Sequence, residues 1–566
     1  MSPLRLFAVS SSVCLAILAA TAEADQRTDL SAVQRLQSIL QADAKTPEDR
    51  KDRLRLLDDL TSPKSLPDTE LASALALDSW KDLDRHVELR AVDAQVREKL
   101  IARFEKWVAG QLDRRGPAAL DTKLAVLTLL GEMGVNVYRT AGDRKVALAA
   151  KFAPKLIPLL KDPNADVRAA AARALGKINP DPEPATKAFA EMLARESAQD
   201  RRAAADGLAG MMRVLVPMMV SRSSAPVVDM DRAEAVQRAR VVAMAAGPGL
   251  KQDDPAARRA CLEALHLAAH LLAELGNVLP RDIGAPGRPP TAEEQARIKE
   301  YRTEVERTSK EVRPLAGAVQ AQLDGVIRCL SDATPDVLIA ACQALESAAE
   351  ARNQLRQGEP AEKSLNGLAA AAPPLAALLP HTDVRVRLAA LYVLETMPDL
   401  AEPAVPALVK ALTDADAFVR WGAVRAVGKR APADAAAVVP GLGKLIADEN
   451  GDVRLTALTA LERYGPAAKA GVPALVEGVS RGDTLTRLGV IRALGALGKE
   501  AQPAVAALAG ALTAAEPEVR VAVAQTLGRL GPLASAAIPA LRKALNDANP
   551  DVRRATSTAL LTILGG

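Results

Sequence analysis

The sequence predicts an all-α solenoid of stacked antiparallel helix pairs with a helical insertion, and three observations carry that prediction. From Asp383 to the C-terminus a ladder arginine recurs every 33 or 34 residues, at Arg387, Arg420, Arg454, Arg487, Arg520 and Arg553. Seven places after each stands an apolar residue: Leu394, Val427, Leu461, Leu494, Leu527 and Leu560. A period in this range is the mark of a solenoid. Each unit also holds two helical patterns, an Ala/Leu/Val segment with a proline near its start (Pro406, Pro440, Pro473, Pro539) and a second segment opened by the ladder arginine. Aromatic residues make up only 2% of a chain that is 49% hydrophobic, so the core is built from Ala, Leu and Val. That composition suits closely stacked helices and fits poorly with β-sandwiches or barrels.

Taken in order, residues 1–24 read as a signal peptide. Arg5 precedes an apolar run from Leu6 to Ala20, and small residues offer cleavage after Ala22 or Ala24. The run is shorter than the ~20 residues a membrane-spanning helix needs. Val13 before Cys14 argues against a lipoprotein site. The chain is therefore expected to be exported, to a periplasm, a cell surface or the medium. No later stretch reads as long and apolar enough for a membrane span, so no stable span is expected after cleavage. Residues 25–120 form an N-terminal helical region, charged, broken at Pro63 and Pro67, with an amphipathic stretch from Val92 to Leu112. Residues 121–220 read as degenerate repeats, with Thr122 to Gly131 as an early second helix. Asp166-Val167-Arg168 with Leu175-Gly176, and Asp200-Arg201-Arg202 with Leu208, carry the later signals.

Between 221 and 320 the period fails. Ser221 to Pro226 looks like a loop, Arg281 to Pro290 is rich in Gly and Pro, and Thr291 to Arg313 is a charged helix. This segment reads as a helical insertion projecting from the solenoid. Weak echoes remain at Arg258 with Leu265, and at Asp336-Val337-Leu338 with Leu345, where the arginine is lost. Residues 321–566 are the repeat solenoid proper. Asn549-Pro550-Asp551 illustrates how a second helix starts, with a capping side chain, a proline that has no N–H to lose and an acid at the positive helix end.

The pattern Pro-Ala-Leu-x-x-x-Leu, then Asp-x-x-Val-Arg, then Ala-x-x-x-Leu-Gly resembles the HEAT-repeat family, in a short bacterial form related to the repeats of phycobilisome lyases. The resemblance covers about 381–566 and extends to 150–215. It implies a right-handed α-solenoid and, for most of the family, a binding scaffold. It also implies a structural role for Arg168, Arg387, Arg420, Arg454, Arg487, Arg520 and Arg553. With Asp166, Asp452 and Asp551 these would form a hydrogen-bond ladder between repeats. The second helix of each pair would line the concave side.

Chemistry-bearing motifs are sparse. Gly478-Val479-Ser480-Arg481-Gly482 matches a nucleophile elbow, but no strand precedes it and the last histidine is His381, so no downstream base exists. His266 and His270, with Glu274 a turn further on, share a helix face at metal-ligand spacing without a cysteine cluster or a following base. None of the four Gly-Lys pairs continues into a phosphate loop, and no Cys-x-x-Cys occurs. Cys261, Cys329 and Cys342 sit in apolar helical patterns as buried thiols, with a Cys329–Cys342 bridge left open by the sequence. Metal and cofactor are both expected to be absent. A net charge of +4 is small for the length, and so few aromatics offer no stacking platform, so nucleic acid is not an expected partner.

Positions beyond each ladder arginine sort by role. One place on stand Leu388, Trp421, Leu455, Leu488 and Val521, then Arg554; four places on stand Leu391, Val424, Leu458, Ile491 and Ala524, then Ser557. These face the next repeat, so Trp421 reads as packing and the last unit as a polar C-terminal cap. Five and nine places on, Tyr392, Arg425, Lys429, Arg463, Arg492, Gln525 and Arg529 form a net-basic polar stripe. The stripe is either a solvated helix exterior or a docking surface for an acidic protein partner. The reading is an exported, non-enzymatic interaction scaffold. A bilin-lyase-like or other repeat-based enzyme, and a self-associating envelope structural protein, are the alternatives.

Overall fold

The computed structural model describes residues 90–116, 118–135, 138–141, 144–220, 230–277, 291–355, 365–430 and 434–565. Residues 1–24, read above as a signal peptide, residues 25–89, and the segments 221–226 and 281–290 lie outside the described residues. The chain divides into two units, one comprising residues 1–325 with 351–364 and the other 326–350 with 365–566.

In the first unit α1 (Arg90–Leu112) and α2 (Ala118–Met133) precede a short antiparallel hairpin, β1 (Tyr138–Ala141) with β2 (Arg144–Ala147), which pairs Tyr138 with Ala147. The hairpin is a local interruption of an otherwise helical chain. There follow α3 (Ala153–Leu159), α4 (Ala165–Lys177), α5 (Pro182–Leu193), α6 (Ala198–Val220), α7 (Arg232–Ala246), α8 (Pro255–Gly276) and α9 (Ala292–Arg328). α2, α4, α6 and α8 pack one against the next, and so do α3, α5 and α7. These are two parallel layers of a helical-repeat row, each pair burying the apolar face of its neighbour.

Two expectations are corrected here. The segment read as a projecting insertion is not one over 232–276, because α7 and α8 pack in register with the preceding pairs. Ala239, Val242, Ala264, Leu271 and Leu272 are buried there. The period fails because the helices here are long, 23 residues in α6, 22 in α8 and 37 in α9, and not because the packing stops. Secondly, among the described residues one helix is, by length and composition, long and apolar enough to cross a membrane. It is α6, with 23 residues, a mean hydropathy of 1.4 and 61% of its apolar window buried. Its apolar residues are covered by α4, α5, α7 and α8.

The second unit contains α10 (Pro335–Leu355) up to residue 350, then α11 (Ala372–Leu378), α12 (Val384–Thr396), α13 (Val405–Ala411), α14 (Ala417–Gly428), α15 (Ala435–Lys444) and α16 (Gly451–Tyr464). It ends with α17 (Val472–Gly478), α18 (Thr484–Leu497), α19 (Val505–Ala511), α20 (Pro517–Leu530), α21 (Ile538–Ala544) and α22 (Pro550–Gly565). Except for the ten-residue α15, each first member from α11 on is a 3₁₀ run leading into a seven-residue helix, as in Gly531–Ala537 before α21. A proline in the first helical turn, such as Pro473 or Pro539, fixes the entry without losing a bond. Second members start on capping side chains: Asn450 accepts from the Asp452 and Val453 N–H groups, and Asn549 from those of Asp551 and Val552. Gly498, with φ +57°, ends α18 in a conformation that a side chain would strain. The second members α12 through α22 form a continuous row. The core is chiefly Leu, Val and Ala, and Leu391, Val424, Leu458, Ile491 and Ala524 are all buried in it.

Cys261, Cys329 and Cys342 are buried thiols outside any disulfide, so no bridge joins Cys329 to Cys342. The C-terminal cap is polar only over its first turns. Arg554 and Ser557 are exposed, but so are Leu561 and Leu564, at 73% and 62%.

Candidate interaction surface

The ladder arginines reach from one repeat to the next. Arg168 Nε donates to Asp200 at 2.8 Å, Arg387 Nη2 to Asp414 at 3.0 Å, Arg454 Nη2 to Asp483 at 2.7 Å and Arg487 Nη1 to Glu516 at 2.8 Å. Arg420 and Arg520 grip Asp448 and Asp547 with both carboxylate oxygens engaged, at 2.8 and 2.9 Å and at 2.7 and 2.9 Å. Their Nη1 groups donate back to carbonyls of the turn before their own helix, Asp414 and Ala415 for Arg420, Ala514 and Ala515 for Arg520. One guanidinium thus ties a turn to the next repeat, using its fork geometry.

The acids named from the sequence are not the partners. Asp166 Oδ1 accepts from Gln199, Asp551 pairs with Arg554 within its own helix, and Asp452 is exposed. They occupy first helical turns, where a carboxylate faces solvent and the positive helix end. In the second unit the ladder acid stands six places before the next arginine, as in Asp414, Asp448 and Asp547, whereas Asp200, the partner of Arg168, stands directly before Arg201. Where that place holds Arg481 or Ala514, an acid at the cap position, Asp483 or Glu516, takes over. Burial pushes the Asp448 carboxyl up, but hydrogen bonds from Arg420 and the Asn450 N–H hold it below the usual carboxylate range. The Arg520 hydrogen bond does the same for Asp547.

The basic stripe lies on the exposed sides of α12, α14, α16, α18 and α20. Tyr392 is 36% exposed, and Arg463, Arg492, Gln525 and Arg529 are exposed. Part of it is internal bracing. Glu395, only 4% exposed, accepts from Arg425 Nη2 at 2.6 Å and pairs with Lys429 at 2.6 Å. Glu462, in the same register two helix pairs further on, pairs with Arg492 at 3.7 Å. The sequence did carry a signal for these acids. Eight places after the ladder arginine, other repeats have Gly428, Gly495 and Gly528, whereas these two have Glu. Five cations therefore stand against two carboxylates, and the stripe stays net basic. Arg529 lies over Gly495, with Nη2 3.0 Å from Thr526 Oγ1.

Beside the cations runs a groove between α14 and α16. It has a volume of about 420 Å³ and is lined chiefly by Phe418, Trp421, Asp452, Leu455, Thr456 and Thr459. Phe418 is 70% exposed, and the Arg425 guanidinium sits 4.5 Å from the centre of the Trp421 ring. Trp421, read from sequence as packing alone, is half-buried and also lines this groove. A second groove, of about 730 Å³, lies near α15 and α17 and is lined by Lys444, Arg454, Glu477 and Arg481, among others. Ser480 follows the short helix α17 and is exposed, without the strand a nucleophile elbow requires. His266 and His270 stack with ring centres 6.4 Å apart, and no group of three metal-ligating side chains gathers among the described residues.

A family model described as HEAT repeats matches residues 121–209, 371–442, 439–516 and 505–563. Over those residues the chain belongs to the HEAT-repeat family, a helical-repeat class that generally mediates protein–protein interaction. No curated protein matches the chain. Among solved structures, one engineered protein, a structural-genomics target, is 19% identical over 73% of this chain and 99% of its own, with a TM-score of 0.42. Two further engineered proteins are 20% and 18% identical, over 43% and 55% of this chain and 96% and 98% of theirs, each with a TM-score of 0.29.

Proposed function

We propose that this protein is an exported, non-enzymatic scaffold that docks an acidic partner protein across the exposed faces of its second helices, from α14 to α20. The observation that supports it is the placement of Arg463, Arg492 and Arg529, which are exposed on successive second helices at five or nine places after the ladder arginine, one helix face, while the residues four places after each ladder arginine are buried. A row of like charges held on a rigid backbone raises the local concentration of an oppositely charged partner. Export rests on the pattern of residues 1–24.

The test must spare Arg425 and Lys429. Reversing either would set a new carboxylate against buried Glu395 and destabilise the fold. The triple variant Arg463→Glu, Arg492→Glu, Arg529→Glu leaves the Glu395 bracing intact, and the Arg492–Glu462 pair that it breaks is exposed and contributes little to stability. Captures from the native envelope fraction by wild type and variant are compared across a salt series. A captured protein lost both in the variant and at high salt is the expected result; identical captures exclude the stripe.

A further inference from the structure

The groove and the stripe share the same helices in a fixed order. Along α14 from its N-terminus come Phe418, Trp421, Arg425 and Lys429; along α16 come Asp452, Leu455, Thr459 and Arg463. The apolar floor occupies the first half of this inter-helix channel and the cations the second. The same division recurs on α18, where Leu485 is 64% exposed and Arg492 lies two turns further on. Aromatic and aliphatic surface left open beside a net-basic band is suited to a side chain whose own neighbours are acidic.

Building on the docking role proposed above, we infer that the partner presents a linear acidic segment carrying one apolar anchor residue. The anchor enters the groove among Phe418, Trp421 and Leu455, and carboxylates reach Arg425, Lys429 and Arg463. The axial offset is set by the helices. Eight residues separate Trp421 from Lys429, and Leu455 from Arg463, which at 1.5 Å per residue is about 12 Å. An extended chain covers that in about four residues at ~3.3 Å each. The recognised pattern is therefore a Leu-, Phe- or Trp-like anchor with Glu or Asp about four residues away.

The experiment uses the full chain and three labelled synthetic peptides on a Gly/Ser background, read by fluorescence anisotropy at low and moderate salt. One peptide has a Leu anchor with a Glu run about four residues away, one has the Glu run alone, and one has the anchor alone. The anchored acidic peptide should bind roughly tenfold to a hundredfold tighter than the Glu run alone, the range expected for burying one aliphatic side chain. Thr459 is exposed on the groove wall, so Thr459→Trp fills the groove without altering charge or core. This variant should erase the anchor's advantage and leave the Glu-run affinity unchanged. The triple charge variant should weaken both acidic peptides.

Equal binding of the two acidic peptides, or an anchor advantage that survives Thr459→Trp, overturns the groove assignment while the basic docking surface stands. Binding of no peptide overturns both. Sedimentation of the same samples covers the remaining occupant: self-association that Thr459→Trp abolishes would assign the groove to a second copy of this chain and overturn the inference.

Discussion

Arg420 shows what one side chain does in this fold. It is 8% exposed, engages both oxygens of Asp448 in the next repeat and satisfies two turn carbonyls. Truncation would leave a buried carboxylate and both carbonyls without that donor. Arg553, in the last repeat, donates to the equivalent carbonyls of Asp547 and Ala548, but it is exposed. Arg420→Ala is therefore expected to cost about 3 kcal/mol or more, and Arg553→Ala under ~1 kcal/mol. Chemical denaturation of the two variants beside wild type checks this. Equal losses would mean that the ladder contributes only through its turn carbonyls. The arginines were legible in the sequence because a long forked side chain is needed at one register in every repeat. Their acids were not legible, since a carboxylate six or four places before the next arginine reaches the same guanidinium, and the conspicuous Asp of the helix start is a third, solvent-facing place. Glu395 escaped for a related reason: a buried acid at a register otherwise held by glycine looks like a surface residue until the neighbouring helix supplies two cations.

Between elements, the spacing of the second helices is set by small residues. A Cβ on Gly528 of α20 would lie 3.0 Å from Ala559 Cα of α22, a backbone atom that cannot rotate away. Gly510, on the exposed side of α19, has open space around the same position. Alanine favours a helix over glycine by about 1 kcal/mol, so Gly510→Ala should stabilise by up to that amount. At Gly528 the same gain is opposed by an overpacking cost of roughly 1–3 kcal/mol, and Gly528→Ala should destabilise. Thermal melts of the pair decide it; stabilisation by both would show that α22 shifts freely. The helix pairs themselves could be read from the 33- or 34-residue rhythm wherever turns are short. The rhythm broke at 232–276, and the break was misread as a projection, because periodicity reports equal lengths and packing does not require them. The groove beside Trp421 was invisible for a different reason: a residue facing the next repeat can cover part of it and still leave an edge open, which only three dimensions display.

Across the whole row, several carboxyls are held below their ordinary range by the contacts that join the turns. For Asp448, burial acts upward, and the Arg420 and Asn450 hydrogen bonds outweigh it. For Asp483 the Thr486 N–H leads, and for Asp547 the Arg520 side chain leads. A carboxyl whose pKa is lowered on folding binds fewer protons in the folded than in the unfolded chain between the two values, so stability rises with pH through that window. Its contribution is complete above the ordinary Asp value of about 3.9 and is lost as pH falls through the folded value. Glu346 acts in the opposite sense, because burial and the nearby Glu350 and Glu395 carboxyls raise it, and its protonation as pH drops favours the folded chain. The lowered carboxyls therefore withdraw their contribution only below the ordinary Asp value of about 3.9, while Glu346 acts in the opposite direction. Comparing wild type with Asp547→Asn isolates the ladder's share, since the amide cannot titrate while Glu346 is unchanged. The variant should melt lower than wild type at neutral pH, and the difference should shrink as pH falls toward 3. A constant difference across that range would mean that Asp547 contributes by packing and neutral hydrogen bonding, and that the acid sensitivity of the row originates elsewhere.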